Sequence, residues 1–102
     1  MPEKIVYEMG YGAGEFGNVL CGSFSGSKSS FTSEVLASNH WKVSHKETSF
    51  YLEIKVSEQP DRELGMFRLP VLKVCFQIKS DPGDIRAQFF KRFHQYFHKG
   101  GG

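Results

Sequence analysis

His94 and His98 stand four residues apart, the spacing at which two imidazoles on one helix can reach a common metal ion. No third ligand lies beside them in sequence, so they are expected to be solvated histidines on a basic helix face with Lys91, Arg92 and Lys99. Such a face suits an acidic partner. His40 and His45 are five apart in a strand-like stretch and so point to opposite sides. Cys21 and Cys75 each fall in a predicted strand without metal-ligand spacing. There an unpaired cysteine behaves as a small apolar residue, whereas a disulfide would require an oxidising compartment. No Ser/His/Asp or Cys/His nucleophile arrangement can be read from spacing. The chain is therefore expected to be non-enzymatic, with no catalytic, cofactor or metal site.

Gly12 to Val19 reads Gly-Ala-Gly-Glu-Phe-Gly-Asn-Val, matching G-x-G-x-x-G-x-V, and resembles the glycine-rich phosphate loop of protein kinases. The resemblance implies a hairpin whose backbone N–H groups approach phosphate oxygens. It covers eight residues of 102, and neither an H-R-D catalytic loop nor a D-F-G metal site follows, while Lys28 lies among serines. A dinucleotide fingerprint would need a helix after Gly17, but residues 18–24 read as a strand. The segment is expected to be a glycine-rich connection between strands. Gly22 to Ser29 lacks Walker spacing, because Ser27 separates Gly26 from Lys28. The terminal glycines resemble the tails of ubiquitin-like and sulfur-carrier proteins, but those follow a last β-strand, and here a helix precedes them.

The elements that position these residues follow from periodicity. Ile85, Phe89, Phe90, Phe93, Tyr96 and Phe97 fall within an arc of roughly 140° at helical spacing, giving an amphipathic helix from Ile85 to about Lys99. Ser80 or Asp81 can cap it, Pro82 suits its first turn, and Asp84 complements the positive end of its dipole. Gly100 stops it, and residues 100–102 are expected to fray. Five large aromatics on one helix face require an apolar partner surface, which a sheet can supply. Ile5, Tyr7 and Met9 alternate in a first strand, and Asn18 to Phe24 form a second. The Ser/Gly-rich residues 22–30 form a flexible, exposed loop. Phe31 to Ala37 reads as strand in preference to a short helix. Trp41 and Val43 share one face of a strand ending at His45, with a turn at Lys46, Glu47 and Thr48. Phe50, Leu52, Ile54 and Val56 then alternate against Tyr51, Glu53, Lys55 and Ser57, the pattern of an antiparallel strand with one buried face. A charged loop from Glu58 to Gly65 leads to Met66–Ile78, where Phe67, Leu69 and Val71 alternate in one phase and Leu72, Val74, Phe76 and Ile78 in the other. That slip beside Pro70 predicts a bulge or bend.

The 102 residues suffice for one domain with one core. Fifteen per cent are aromatic and ten are phenylalanine, so that core should be rich in Phe. No apolar run approaches 18 residues, and Met1 to Ile5 carry charge, so neither a membrane span nor a secretory signal is expected and the location reads as cytoplasmic. The fold class is α+β: an antiparallel β-meander of five or six strands with one C-terminal amphipathic helix packed on one face. That stoichiometry leaves a sheet face or edge uncovered, so self-association as a homodimer is expected.

The function read from this pattern is a small protein-interaction or regulatory module. Its alternative is single-stranded nucleic-acid binding on the exposed sheet face, where Tyr51 could stack a base while Lys55, Lys42, Lys73 and Lys79 follow phosphates. A net charge of +2 falls well short of a dedicated duplex-DNA binder, and Glu53 sits amid the patch.

Overall fold

Alternation in five stretches fixes which side chains the strands bury, and all five join one antiparallel sheet. The computed structural model describes residues 3–26 and 29–97. Its elements are β1 (Glu3–Met9), α1 (Ala13–Ser23), β2 (Phe31–Ala37), β3 (His40–His45), β4 (Tyr51–Leu64), β5 (Phe67–Ser80), a 3₁₀ turn at Pro82–Asp84 and α2 (Ile85–Tyr96). The strand order is β1-β5-β4-β3-β2. The last four strands thus form a meander, and β1 closes the side next to β5. The expected α+β class holds, with five strands, but there are two helices.

The strand expected over Asn18–Phe24 is instead the body of α1. Gly14, Gly17 and Gly22 made the stretch look like strand and turn, yet Phe16, Leu20 and Phe24 stand four residues apart and are completely buried, the signature of one helix face. Topology also calls for a helix here. β1 and β2 lie at opposite edges, roughly 19 Å apart at about 4.8 Å per strand, and an 11-residue helix covers about 16 Å of that crossing. Cys21 therefore sits on a helix and Cys75 on β5, both as free, half-buried thiols. Of the Ser/Gly stretch, residues 22–23 end α1, Phe24 and Ser29 are buried, and Ser29 Oγ accepts the Phe31 N–H at 3.0 Å. Residues 27–28 lie outside the described residues.

The core is an aromatic layer between the sheet and both helices. Phe76 of β5 meets Phe90 at 5.2 Å and Phe93 edge to face at 5.0 Å. Phe93 stacks on Phe97 at 4.3 Å, Phe97 lies 4.9 Å from Phe16 of α1, and Phe24 stacks on Phe89 at 4.8 Å. Tyr96 departs from the expected apolar arc: it is exposed, its ring lying 5.2 Å from the Arg92 guanidinium. Gly17 has a packing role, since a Cβ there would stand 2.9 Å from Trp41 Cζ2.

The start of α2 is held by Asp81. One of its carboxylate oxygens accepts the Arg86 N–H at 3.1 Å and the other accepts Arg86 Nε–H at 3.0 Å. The far side of the same guanidinium donates to Glu3 of β1, so one arginine joins the first strand to the last helix. This hydrogen bond holds the Glu3 carboxyl below its ordinary range and raises the Arg86 guanidinium above its own. Gly100 and the predicted helix end lie outside the described residues, and α2 itself stops at Tyr96.

The segment expected as a charged loop, Glu58–Gly65, is strand as far as Leu64. β3 pairs with β4 only from Tyr51 to Lys55, and β1 reaches β5 only as far as Leu72. Beyond those points, among the described residues, β4 and β5 pair only with each other, through Gln59↔Val71, Arg62↔Leu69, Glu63↔Arg68 and Leu64↔Phe67. The result is a two-stranded arm that leaves the sheet. Gly65 turns it with φ of 62°, a backbone conformation that favours glycine. A bulge does lie beside Pro70, but it is in β4 and not in the 66–78 run where the phase slip predicted it, so β5 stays in phase and its apolar side chains change faces instead. The bulge places Pro60 and Asp61 opposite Pro70, so the two residues without an N–H sit where the ladder is interrupted.

Gly17→Ala should lower stability by about 1 kcal/mol or more, overpacking against Trp41 outweighing the gain in helix propensity. Gly22→Ala, with open space around the added methyl, should raise it by about 0.5 kcal/mol; urea midpoints at constant m distinguish the two. Because the Glu3 pKa is lowered on folding, its contribution is present at neutral pH and is lost as pH falls through that depressed value. Glu3→Gln should flatten this part of the acid limb in pH-dependent unfolding.

Candidate functional site

The two helices occupy one side of the sheet and leave the other open. By alternation and register the open face carries Lys4, Val6 and Glu8 of β1, Lys73, Cys75 and Gln77 of β5, Tyr51, Glu53, Lys55 and Ser57 of β4, and His40 and Lys42 of β3. Lys79 joins this side at the irregularity between Tyr51 and Leu52. The structure therefore brings Tyr51, Lys55, Lys42, Lys73 and Lys79 onto one surface, as the pattern of β4 requires. Tyr51 is not a bare platform: the Lys42 ammonium lies 4.8 Å from its ring centroid, a cation–π contact. Glu53 Oε1 lies within hydrogen-bond distance of His40 Nε2, at 2.7 Å, and Glu8 lies 3.9 Å from Arg62.

Between Lys4, Lys55 and Lys73 the open face dips into a basin of about 360 Å³, with Val6, Ser57 and Cys75 also lining it. The three lysines come from β1, β4 and β5, which are adjacent in the sheet. None of them makes an ion pair or hydrogen bond among the described residues. Lys4 is the lysine that sequence reasoning passed over. Its alternation with Ile5 placed it on the open side, but only the strand order sets β1 beside β5.

The basic face assigned to the last helix is divided by the fold. Arg92 is half-buried: its Nε–H donates to the Ser23 carbonyl at the end of α1 at 2.5 Å, satisfying an orphan helix carbonyl, and its guanidinium lies against Phe24 and Tyr96. His94 is exposed yet lies 5.8 Å from the Tyr7 ring and 5.6 Å from Phe93. Lys91 alone of the described trio projects freely. His98 lies outside the described residues, as does Lys99. Among the described residues no three His, Cys, Asp or Glu side chains gather as a ligand set, and no helix is long and apolar enough to cross a membrane.

No family model matches this sequence, and no curated protein matches it. The glycine-rich stretch opens a helix, not the expected strand connection, so the earlier ground for setting aside a dinucleotide fold falls away. Another replaces it: that fold sets the strands on either side of its first helix close together in a parallel sheet, whereas here β1 and β2 lie at opposite edges with three strands between them and every pairing is antiparallel.

The feature that sequence reasoning missed is the arm. Met66 is 98% exposed, Phe67 73%, Leu64 53% and Leu69 45%. Phe67, Leu69 and Val71 share the alternation of Lys73 and Cys75, because the bulge adds its extra residue to β4 and leaves β5 in phase. The open face thus has an apolar end on the arm and a cationic middle. At the base of the arm a cleft of about 360 Å³ is lined by Met9, Gly10, Leu69, Pro70 and Val71 with the Glu8–Arg62 pair. The signal was present as the change of phase at Pro70, which also marks where the apolar side chains change faces.

Arg92→Ala should cost about 1 to 2 kcal/mol, the worth of a charged hydrogen bond and its aromatic contacts. Lys91→Ala should stay within about 0.5 kcal/mol of the wild type. Parallel denaturant titrations of the two variants check this division of the helix.

Proposed function

We propose that this chain is a non-enzymatic, cytoplasmic protein-interaction module that self-associates through the β4–β5 arm. The observation that carries the reading is the bare apolar tip, Leu64, Met66, Phe67 and Leu69, on a ribbon that no further strand pairs with among the described residues. An isolated two-stranded ribbon is marginal in water, and an apolar cluster of this kind marks a contact surface.

A second copy suits the arm in charge as well as polarity. The arm carries both signs, Glu58, Asp61 and Glu63 with Arg62 and Arg68, and its exposed pairs Arg68–Glu63 at 3.3 Å and Arg62–Glu8 at 3.9 Å leave little net charge to oppose a two-fold-related arm. Antiparallel packing of two arms also sets the tip of each beside the base of the other, where the apolar cleft lies. Pro60 and Pro70 interrupt the free edges, which favours side-chain packing over continuous strand addition.

Sedimentation velocity over a concentration series tests the proposal. Wild-type protein should associate reversibly, and Met66→Asp combined with Phe67→Asp should weaken association more than about tenfold, or about 1.4 kcal/mol, while near-ultraviolet circular dichroism stays unchanged. A wild-type chain that remains monomeric at its highest soluble concentration contradicts it.

A further inference from the structure

We propose that the basin on the open sheet face binds single-stranded nucleic acid, with Lys4, Lys55 and Lys73 contacting successive phosphates. The inference stands apart from the arm reading, since none of the three lysines lies on the arm. Three cations on three adjacent strands converge on one concavity without a partner among the described residues. Unpaired like charges held on one rigid surface repel one another, and an anion bridging them relieves that repulsion.

The neighbouring acids do not supply that anion. Glu53 is engaged by His40 at 2.7 Å, and Glu8, opposite Lys73 in register, lies toward Arg62 at 3.9 Å. The lining between the lysines includes half-exposed Val6 and half-buried Cys75, apolar surface on which an unpaired base can lie. A duplex offers only its convex phosphate rim to such a depression, whereas a single strand can place both phosphate and base in it. Lys42, Tyr51 and Lys79, farther along the same face, extend the path. The structure thereby moves the centre of the nucleic-acid reading away from Tyr51, whose ring Lys42 already covers, to the basin.

Fluorescence anisotropy of a labelled oligothymidylate titrated with the full chain reads this directly. Three phosphate contacts on a single strand give a slope of about −2 in log affinity against log salt, so affinity should fall roughly 16- to 20-fold between about 50 and 200 mM salt. Each Lys→Ala change at 4, 55 or 73 should reduce the slope by about 0.7, while Lys91→Ala on the helical side leaves it unchanged. All three side chains are exposed, and circular dichroism confirms that each variant is folded. No binding at the lower salt overturns the proposal. So does binding that the triple variant retains, or equal affinity for a duplex of the same length.

Discussion

The contact on which the structure depends is Phe76 against α2. β5 lies between β1 and β4, and Phe76 projects from it into Phe89, Phe90 and Phe93. Through Phe93, Phe97 and Phe16 the same ring system reaches α1, and through Phe16 it reaches Trp41 on β3. Edge-to-face and offset pairs of this kind add about 0.5 to 1.5 kcal/mol each beyond the area they bury. A continuous aromatic layer therefore fixes both helices to one side of the sheet. Gly17 lets α1 approach closely enough for the Trp41 ring to join it.

Placing both helices on one side determines the remaining surface. The opposite face keeps its lysines in water, where their charge is inexpensive, and its two nearest carboxylates are drawn to His40 and Arg62. β1 stops pairing at Met9 and β3 at Lys55, so among the described residues no further strand pairs with the outer halves of β4 and β5, and only their base meets β1, through Glu8 and Arg62. The basin lies on the face the helices leave open, and the arm follows from the greater length of β4 and β5 over β1 and β3.

Much of this was legible in the sequence where a single period dominated. The alternation from Phe50 into β4 holds to Val56, and the Phe pattern of α2 and its C-cap survives as Ile85, Phe89, Phe93 and Phe97. Reading failed where local composition opposed tertiary demand. Three glycines within α1 have poor helix propensity, but crossing the sheet and burying Phe16, Leu20 and Phe24 decide its conformation. Glu58 to Leu64 looked like loop because its charges and Pro60 suit one, yet pairing with β5 supplies its hydrogen bonds. Arg92 looked like part of a binding face because a helical wheel cannot show that the end of α1 lies beside it. The basin was invisible for a related reason: Lys4 and Lys55 are far apart in sequence and meet only through β5.

Amide hydrogen exchange read by mass spectrometry, at low and high protein concentration, tests the central claim that the aromatic layer protects one part of the sheet and leaves the arm bare until a second copy covers it. The account predicts slow exchange in β5 from Leu72 to Ile78 at both concentrations. It predicts fast exchange from Glu58 to Val71 in dilute protein, slowing as concentration rises. Equal protection of the arm and the core strands in dilute protein would contradict it, as would an arm whose exchange ignores concentration.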